Sequence, residues 1–462
     1  MHAAGLRSLA RQGWLTAAAV FGAILLGGGG SPAPFPEILL QVLVALLALA
    51  WWLSGDDDNP RAVPRVAILL AGLMISVPLV QLIPLPPGIW HALPGRETAR
   101  EALALVEREN EWRALSLAPA RTLAALLAVI PAALVLVMVA ASGRAARFRV
   151  AGALALGGLA TVLVGAAQVS QGAGGAMRFY IPDSAALDGF QANHNSTADV
   201  LLIALVAAIV VVRDAALHGG SLPNRRSVVL SLSGAIALVL SIAVILTASR
   251  TGIVLLPLAL IACAVLLKPW LGLTRRTAAI SVVAAALAAS LAVIGATRIQ
   301  VFDRVEARFA LGRDMRPDLW RDSLFTAQQA FPVGYGMGNL VPALLAGERL
   351  EVVRETMPNR AHNEILELAV EAGAIGLIVW GVIAAALVTA AHRARAVAPA
   401  NARALALAGA ACLALLALHS LVDYPFRSMS LAIAGAACAG FLLPPRGSGF
   451  RAVRSIKGNE ER

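Results

Sequence analysis

Residues 227–247 read SVVLSLSGAIALVLSIAVILT, and residues 251–267 read TGIVLLPLALIACAVLL. Neither stretch contains a charged side chain, and each is long enough to cross about 30 Å of hydrocarbon as an α-helix. Only Ala248, Ser249 and Arg250 separate the two stretches, so the chain turns back at once. Because lipid offers no hydrogen-bonding partner to an open backbone, this pattern predicts a hairpin of two transmembrane helices.

Outward from this hairpin, similar blocks recur along the chain. The 462 residues are 59% hydrophobic and 14% charged, with a mean hydropathy of +0.76, whereas a soluble domain is about one quarter charged. The pattern predicts an all-α integral membrane protein, one polytopic domain over residues 1–462 with about 12 transmembrane helices. The predicted spans lie near residues 14–30, 35–53, 66–86, 121–141, 150–170, 196–212, 227–247, 251–267, 277–296, 369–390, 404–419 and 429–443.

The positions of arginine and lysine predict the orientation. Basic residues concentrate in every second connection, at residues 143–149, 213–226, 268–276 and 392–403, and at both termini. Loops rich in arginine and lysine stay in the cytoplasm, so we predict that both termini are cytoplasmic. These loops explain most of the net charge of +11 and would face anionic membrane lipids. The charge therefore does not indicate nucleic-acid binding.

The predicted outer side carries three longer polar segments, at residues 87–120, 171–195 and 297–362. The last is a large periplasmic loop between the ninth and tenth predicted helices, and its length is typical of a functional segment. Within it, residues 318–331 have helical spacing, and residues 332–339 form a Gly-rich turn. In the first segment, residues 98–112 predict a short amphipathic helix.

Ionisable side chains are rare at the predicted middle of the membrane and collect at the outer ends of the spans. An ion-coupled transporter usually carries such groups at mid-span, facing a cavity. The pattern therefore favours a site at the outer surface over a pathway through the membrane, although a transporter stays open as an alternative. The three cysteines, Cys263, Cys412 and Cys438, fall inside spans and are interpreted as packing residues, not as disulfides or metal ligands.

The strongest candidate site is the run Arg360-Ala361-His362-Asn363-Glu364, where the large loop meets the tenth span. A histidine in this position can titrate near neutral pH and act as a general base, and an adjacent glutamate can orient it. The alternative interpretation is that Asn363 caps the helix while His362 is only solvated.

Three further polar groups lie at outer ends. Arg250 occupies a turn too short to need it for topology, so it either holds a phosphate through its planar guanidinium or extends to lipid headgroups. Asn193 and Asn195 open the sixth span, where they either cap the helix or contact substrate. The turn between the last two spans carries His419, Asp423 and Arg427, whose pairing can be structural.

These residues together resemble the O-antigen ligase and O-antigen polymerase superfamily of bacterial inner-membrane glycosyltransferases. His362-Asn363, nine residues and then Gly373-Ala374-Ile375-Gly376 fit the ligase pattern His-[Asn/Ser/Gln]-x9-Gly-x-x-[Gly/Thr/Tyr]. Further similar strings are Ser249-Arg250-Thr251-Gly252, the run at residues 189–195, the run at residues 115–122, and the run at residues 419–423. The family's Asn-Pro-Asn form is Asn193-His194-Asn195 here, which leaves the role of His194 open.

The resemblance implies a reaction on the periplasmic side of the inner membrane. A hydroxyl of an acceptor sugar, on lipid A–core or on a growing glycan, attacks a glycan carried on undecaprenyl diphosphate, and the lipid diphosphate leaves. Neither a metal nor any other cofactor is implied. His362 is assigned as the base; the residues assigned to substrate binding are Arg250, Arg360, Arg316, Arg178, Asn363, Glu364, Asn193, Asn195, His419 and Asp423. The ligase pattern favours a ligase, with a polymerase as the alternative.

Overall fold

In the computed structural model, the described residues are 3–29, 35–54, 63–172, 176–180, 186–218, 224–271, 315–353, 358–397 and 400–443. The predicted ninth span, 277–296, lies outside these residues, as do residues 297–314 and 354–357 of the large loop. Within the described residues, the fold is all-helical apart from one small sheet.

The helices that cover the predicted spans are α1 (Ala3–Leu26), α2 (Phe35–Leu53), α3 (Arg65–Gln81), α6 (Pro119–Ala141), α7 (Arg144–Gln171), α8 (His194–His218), α9 (Arg225–Leu246), α10 (Arg250–Leu271), α13 (Glu364–Val397), α14 (Ala400–His419) and α15 (Met429–Leu442). Among the described residues, eight helices are long and apolar enough to cross a membrane, and three apolar helices are shorter: Arg11–Leu26, Arg65–Gln81 and Met429–Leu442. The count of 12 spans stays a prediction.

The centre of the bundle is α8, which packs against α7, α9, α10 and α14. Its sequence is apolar on all sides from Val200 to Val210, as expected for a helix surrounded by other helices. Small residues let its neighbours come close: a Cβ added at Gly158 of α7 would lie 2.1 Å from the Cβ of Ala204. Close approach of this kind is the usual way in which helices associate without water between them.

The end of the bundle at which His362 lies, here called the His362 end, is the end that the charge pattern predicts to face outward. Between α3 and α6 it carries α4 (Pro87–His91), α5 (Glu97–Ala104) and a two-stranded antiparallel sheet, in which β1 (Pro84–Leu85) pairs with β2 (Arg113–Ala114). The prediction of a helix over residues 98–112 is wrong in its length. The helix ends at Ala104, because the chain turns at Glu107, which has a φ of 57°.

The described part of the large loop contains α11 (Arg316–Gln329), α12 (Leu340–Gly347) and a 3-10 turn at Leu350–Val352. Helix α11 confirms the helical spacing seen in the sequence. The Gly-rich turn at residues 332–339 lies against α13, where Gly373 has non-helical backbone angles. Main-chain N–H groups of Tyr335 and Gly336 donate to the carbonyls of Val370 and Glu371, at 3.0 and 2.8 Å, so the loop satisfies backbone groups that the interruption of α13 leaves open.

The buried Arg96 joins the first outer segment to this turn. Its guanidinium donates to the carbonyl oxygens of Leu115 and Gly334, at 2.8 and 2.9 Å, and it is 1% exposed. Burial lowers the pKa of Arg96 to about 10, and the nearby Tyr335 and Glu97 offset part of that effect. The large loop is therefore fixed to both the first outer segment and α13, and this arrangement determines where His362 is held.

Candidate functional site

His362 lies immediately before α13, in a backbone conformation with a φ of 48° that few non-glycine residues adopt. The next residue, Asn363, begins the helix: its Oδ1 accepts hydrogen bonds from the N–H groups of Ile365 and Leu366, at 3.1 and 3.0 Å. Its Nδ2 donates to the carbonyl of Leu421 at 3.0 Å. The helix-capping interpretation of Asn363 thus has direct geometric support, and its proposed contact with substrate stays a prediction.

The imidazole of His362 is held by two residues of the turn between α14 and α15. Its Nδ1 lies 3.1 Å from Oδ1 of Asp423, and its ring meets the ring of Tyr424 edge-on, with centroids 5.0 Å apart. A carboxylate can only accept a hydrogen bond, so Nδ1 carries the proton and Nε2 is left as the acceptor. The side chain of His362 is 31% exposed, and it lines a cavity. This is the arrangement that a general base requires.

Asp423 is buried, and its second oxygen is also engaged. Asn195 Nδ2 donates to Oδ2 of Asp423 at 2.5 Å, and the hydroxyl of Ser249 donates to Oδ1 of Asn195 at 2.7 Å. Burial alone would raise the pKa of Asp423, but the hydrogen bond from His362 and the charges of His419 and Arg316 lower the pKa below its ordinary value. Asp423 is therefore held as a carboxylate beside His362.

A cluster of two arginines and two glutamates lies beside this pair. Nη1 of Arg360 donates to Oε1 of Glu367 at 2.9 Å, and Nη1 of Arg427 donates to Oε2 of Glu371 at 2.7 Å. Nε of Arg427 lies 3.4 Å from Oε1 of Glu367, so Glu367 bridges both guanidinium groups. Glu371 also accepts from the N–H of Gly338, at 2.9 Å. The two glutamates are fully buried, whereas the arginines retain exposed surface that faces the cavity.

The glutamates also affect the protonation of Arg427, which lies outside the predicted spans. Burial alone would lower the pKa of Arg427, but the charges of Glu367, Glu371 and Glu364 raise it above its ordinary value. The same environment raises the pKa of Tyr424 to about 12, through burial and the charge of Asp423. The site thus presents a permanently charged arginine and a neutral tyrosine.

The cavity that these side chains line has a volume of about 1530 Å³. It follows α13 from Glu364 to Arg395, a helical length of about 45 Å. Its polar end, on the His362 side, carries Arg360, His362 and Arg427; its other end carries His392, Arg395 and Arg403, and its walls along α6, α13, α14 and α15 are mostly apolar. A space of this shape can hold a polar headgroup and a long apolar chain together.

Several residues singled out in the sequence meet at this polar end. Asn193, His194, Asn195, Arg360, His362 and Glu364 all line the cavity. Glu364 accepts a hydrogen bond from the hydroxyl of Ser420 at 2.6 Å, and the Nδ2 of Asn193 donates to the hydroxyl of Tyr424 at 3.1 Å. Asn193 also accepts from the N–H of Asn195 and so begins α8. Both the capping and the contact interpretations of Asn193 are compatible with this geometry.

Other predicted residues occupy different surroundings. Arg178 pairs with Asp188 at 2.5 Å, and its side chain is 4% exposed. Arg250 begins α10 with an exposed side chain and does not occur among the described residues that line the cavity. Arg316 begins α11, and its positive charge lowers the pKa of Asp423. His419 and Asp423 are buried behind the cavity wall. Contact of these residues with the substrate stays a prediction.

Some residues of the cavity wall were not assigned to substrate binding in the sequence: Arg427, whose pairing in its turn was interpreted as structural, and Tyr424, Arg121 and Glu37. Arg427 could have been found by the argument applied to Arg250, because it is an arginine in a short turn on the predicted outer side. Arg121 lies in the run at residues 115–122 that resembles the family, whereas no sequence signal distinguished Glu37 from an ordinary charge at a helix start. Among the described residues, no group of three or more His, Cys, Asp or Glu side chains could hold a metal ion.

Comparison with known families adds to this geometry. Residues 235–381 match the family model described as O-antigen ligase. The matched segment runs from within α9 into α13, and it includes Arg250, Arg360 and His362. It confirms the resemblance to the O-antigen ligase and O-antigen polymerase superfamily, and at family level it implies a membrane-embedded ligase or polymerase of glycosyltransferase type. No curated protein matches the chain.

Proposed function

We propose that this member of the O-antigen ligase and polymerase superfamily is a ligase. It transfers a glycan from undecaprenyl diphosphate to a sugar of lipid A–core, on the periplasmic face of the bacterial inner membrane. The observation that carries the proposal is the pairing of His362 with Asp423 at the polar end of a long, mostly apolar cavity. The family match supports the reaction class, and the donor, acceptor and residue roles are our own assignments.

His362 acts as the general base. The hydroxyl oxygen of the acceptor sugar attacks the anomeric carbon of the donor, and its proton moves to Nε2 of His362. Nδ1 keeps its proton and its hydrogen bond to Asp423, so the imidazolium that forms lies beside a carboxylate. Asp423 orients the ring and stabilises its charge without taking the proton, as the aspartate of a catalytic triad does.

The bond between the anomeric carbon and the diphosphate oxygen breaks as the new glycosidic bond forms. The electron pair stays on the leaving diphosphate, which gains negative charge. Cations held in place before the reaction stabilise such charge without reorganisation. Arg360 and Arg427 are suited to this role because buried glutamates fix their guanidinium groups at the cavity surface. Arg250 and Arg316 stay as further candidates, and the mechanism needs neither a metal nor a nucleotide sugar.

The apolar part of the cavity accounts for the carrier. A polyprenyl chain has no polar group along its length, so it is favoured on a surface of leucine, alanine and valine side chains. Such side chains line the cavity along α6, α13, α14 and α15. The diphosphate of the same molecule would then lie at the polar end, within reach of Arg360 and Arg427.

A polymerase is the second candidate, because the sequence resembles a superfamily of ligases and polymerases, and that resemblance implies the same donor for both. The two differ in the acceptor, which is lipid A–core for a ligase and a growing carrier-linked glycan for a polymerase. A polysaccharide or lipid transporter is less compatible with the site. A transporter would give no role to His362, because this residue lies at one end of the cavity and not along a path through it.

The test is the surface-glycan profile of a source strain that lacks this gene, complemented with wild type, His362→Ala or His91→Ala. His91 is a matched control, since it lies in the first outer segment and its Nε2 contacts the carbonyl of Glu109 at 2.8 Å. A ligase predicts bare lipid A–core, polymer that accumulates on the carrier, and rescue by wild type and His91→Ala only. A core that carries a single repeat unit indicates the polymerase. Full rescue by His362→Ala, at equal protein level, contradicts the assignment of the base.

A further inference from the structure

A second histidine–aspartate pair lies behind the first. Nδ1 of His419, the last residue of α14, is 2.7 Å from Oδ1 of Asp199 in α8, and both residues are buried. On the other side of the ring, Nε2 of His419 is 3.9 Å from Oδ2 of Asp423. His419 is thus placed between two carboxylates, one of which holds His362.

Each residue of this pair has one buried polar atom whose hydrogen-bonding capacity is not satisfied. Among the described residues, Nε2 of His419 and Oδ2 of Asp199 are buried without a hydrogen-bond partner. Neither residue lines the cavity, so neither can touch a substrate there. A buried polar atom without a partner is costly, and a packing role alone would be served better by apolar side chains. The effect of the pair on its neighbour, Asp423, can explain why these polar residues are buried here.

Charge supplies that explanation. Asp199 and Asp423 are two buried carboxylates close to one imidazole, and burial of a carboxylate is costly unless a positive charge or hydrogen bonds compensate it. A proton on each nitrogen of His419 neutralises Asp199 through the short contact and acts on Asp423 through space. The field of Asp423 at His362 is then smaller than that of an uncompensated carboxylate.

We infer that His419 and Asp199 are positioning residues for transfer: they weaken the field of the Asp423 carboxylate at His362 and so set the lower pH limit at which His362 works as a base. The inference rests on the proposed function. The proton taken from the acceptor hydroxyl stays on His362, and no proton passes to Asp423, His419 or Asp199. His419 thus acts through Asp423 and not on the substrate, in contrast to the substrate contact that the sequence pattern suggested.

Other charged groups also face this region from the surrounding elements. Arg316 of α11 acts on both His419 and Asp423, and the hydroxyl of Tyr424 adjoins Asp423. The remaining groups are Glu364, Glu367 and Glu371 of α13, with Arg360 and Arg427 beside them. The two arginines are paired with these glutamates. Of the described residues, His419 is the histidine that contacts Asp199 and also adjoins Asp423.

The experiment measures the pH dependence of transfer by purified full-length protein in nanodiscs, with a carrier-linked glycan donor and lipid A–core acceptor. The variants are Asp199→Asn and His419→Gln. His419→Gln removes the compensating positive charge near Asp423 directly, and Asp199→Asn removes the carboxylate that keeps His419 doubly protonated, so in both variants protonation of His362 becomes easier. We expect the acidic limb of the profile to move to higher pH by about 0.5 to 1 unit. The activity lost near neutral pH should return on the alkaline side, and KM for the donor should stay within about twofold.

Asp199→Asn keeps the size of the side chain, so it provides the test if His419→Gln does not fold. The control is Arg147→Met, which disrupts a buried polar group at the opposite end of the bundle. It should lower thermal stability without moving the acidic limb. An unchanged limb in a folded Asp199→Asn variant, with activity lowered equally at every pH, overturns the inference.

A parallel measurement on His362→Gln separates this inference from the proposed function. If His362→Gln retains transfer, the assignment of the base fails whatever the other variants do. If His362→Gln is inactive and Asp199→Asn has an unshifted limb, the proposed function stands and only the positioning role is lost.

Discussion

Two arginines at opposite ends of the bundle, the buried Arg147 and the partly buried Arg427, show what separates a structural cation from a candidate functional one. Arg147, near the start of α7, donates to main-chain carbonyls: those of Ser142 at 2.9 Å, Ala140 at 2.8 Å and Leu443 at 2.6 Å. Arg427, before α15, pairs instead with Glu371 and Glu367. Both guanidinium groups are largely removed from solvent, but only that of Arg427 lines the cavity.

The partners explain the difference. Carbonyl oxygens at the ends of α6 and α15 need donors, and Arg147 supplies them to both helix ends through its guanidinium. The carboxylates of Glu367 and Glu371 bind part of the Arg427 guanidinium, and the rest of this group faces the cavity. Buried glutamates beside an arginine are a costly arrangement in a structural core. A candidate functional arginine is therefore distinguished from a structural one by the kind of group that it pairs with and by its access to the cavity, more than by its burial.

The largest effect that the comparison predicts at the His362 end is that of Asp423→Asn. The amide can donate to Nδ1 of His362, which moves the imidazole proton to Nε2 and removes the base. We expect the transfer rate to fall by about 100-fold or more. Purified protein with the carrier-linked donor and lipid A–core acceptor provides the measurement.

The matched control for this variant is Asp322→Asn, in the described part of the large loop. Asp322 is also buried, and its partner is Arg349 at 2.5 Å and not the imidazole of His362. We expect this control to lose less than about tenfold, because it leaves the base untouched. Equal losses in the two variants would mean that Asp423 contributes only to stability.

A smaller effect is expected for Arg427→Lys, compared directly with Arg250→Lys. Lysine keeps the charge but loses the planar fork that binds a diphosphate with two parallel hydrogen bonds. Because Arg427 lines the cavity and Arg250 does not, we expect about a tenfold loss of transfer for Arg427→Lys and a smaller loss for Arg250→Lys.

The measurement for these two variants is kcat and KM for the donor, at equal protein level. If Arg250→Lys is the more impaired variant, the diphosphate contact belongs to Arg250, as the sequence pattern suggested. That outcome would break the argument that access to the cavity marks the site.

Arg147→Met should change stability and leave transfer within about twofold of wild type. The variant leaves carbonyls at the ends of α6 and α15 without their donor, at a cost of roughly 1–3 kcal/mol. Thermal unfolding in detergent gives the midpoint, which we expect to fall by several degrees. A large loss of transfer at a temperature where the variant is folded would show that the two ends of the bundle are coupled.

The smallest expected effect is that of EDTA on the wild-type protein. The proposed reaction stabilises the leaving diphosphate with arginines, so we expect the rate of transfer by purified protein to be unchanged by chelation. Inactivation by EDTA that a divalent ion reverses would contradict the assignment of that charge to Arg360 and Arg427.

Several features of the protein could be predicted from sequence because they depend on local composition. Hydropathy over about 20 residues predicts a helix in lipid whatever its neighbours are, and helices cover eleven predicted spans among the described residues. Helix α11 and the Gly-rich turn also follow from local spacing and glycine content. The helix expected over residues 98–112 extends only to Ala104, because the position of a turn depends on weak local preferences.

Some residues of the candidate site could likewise be predicted from local sequence, and others could not. His362, Asn363 and Gly373 are neighbours in sequence, so one short motif indicated them together. The partners of His362 could not be assigned in the same way: Asp423 is 61 residues away, and Asn195 reaches Asp423 over 228 residues. Arg427, Glu367 and Glu371 likewise meet only because α13 packs beside the turn before α15.

The sequence alone therefore determined the membrane class, most of the helices and the resemblance to the O-antigen ligase family, because apolar block length and short motifs are properties of contiguous residues. Only the tertiary structure decided which polar groups share a proton, which arginines face the cavity and which lie behind its wall. These outcomes depend on how helices far apart in the chain pack together, and packing is set by the fit of side chains over the whole bundle.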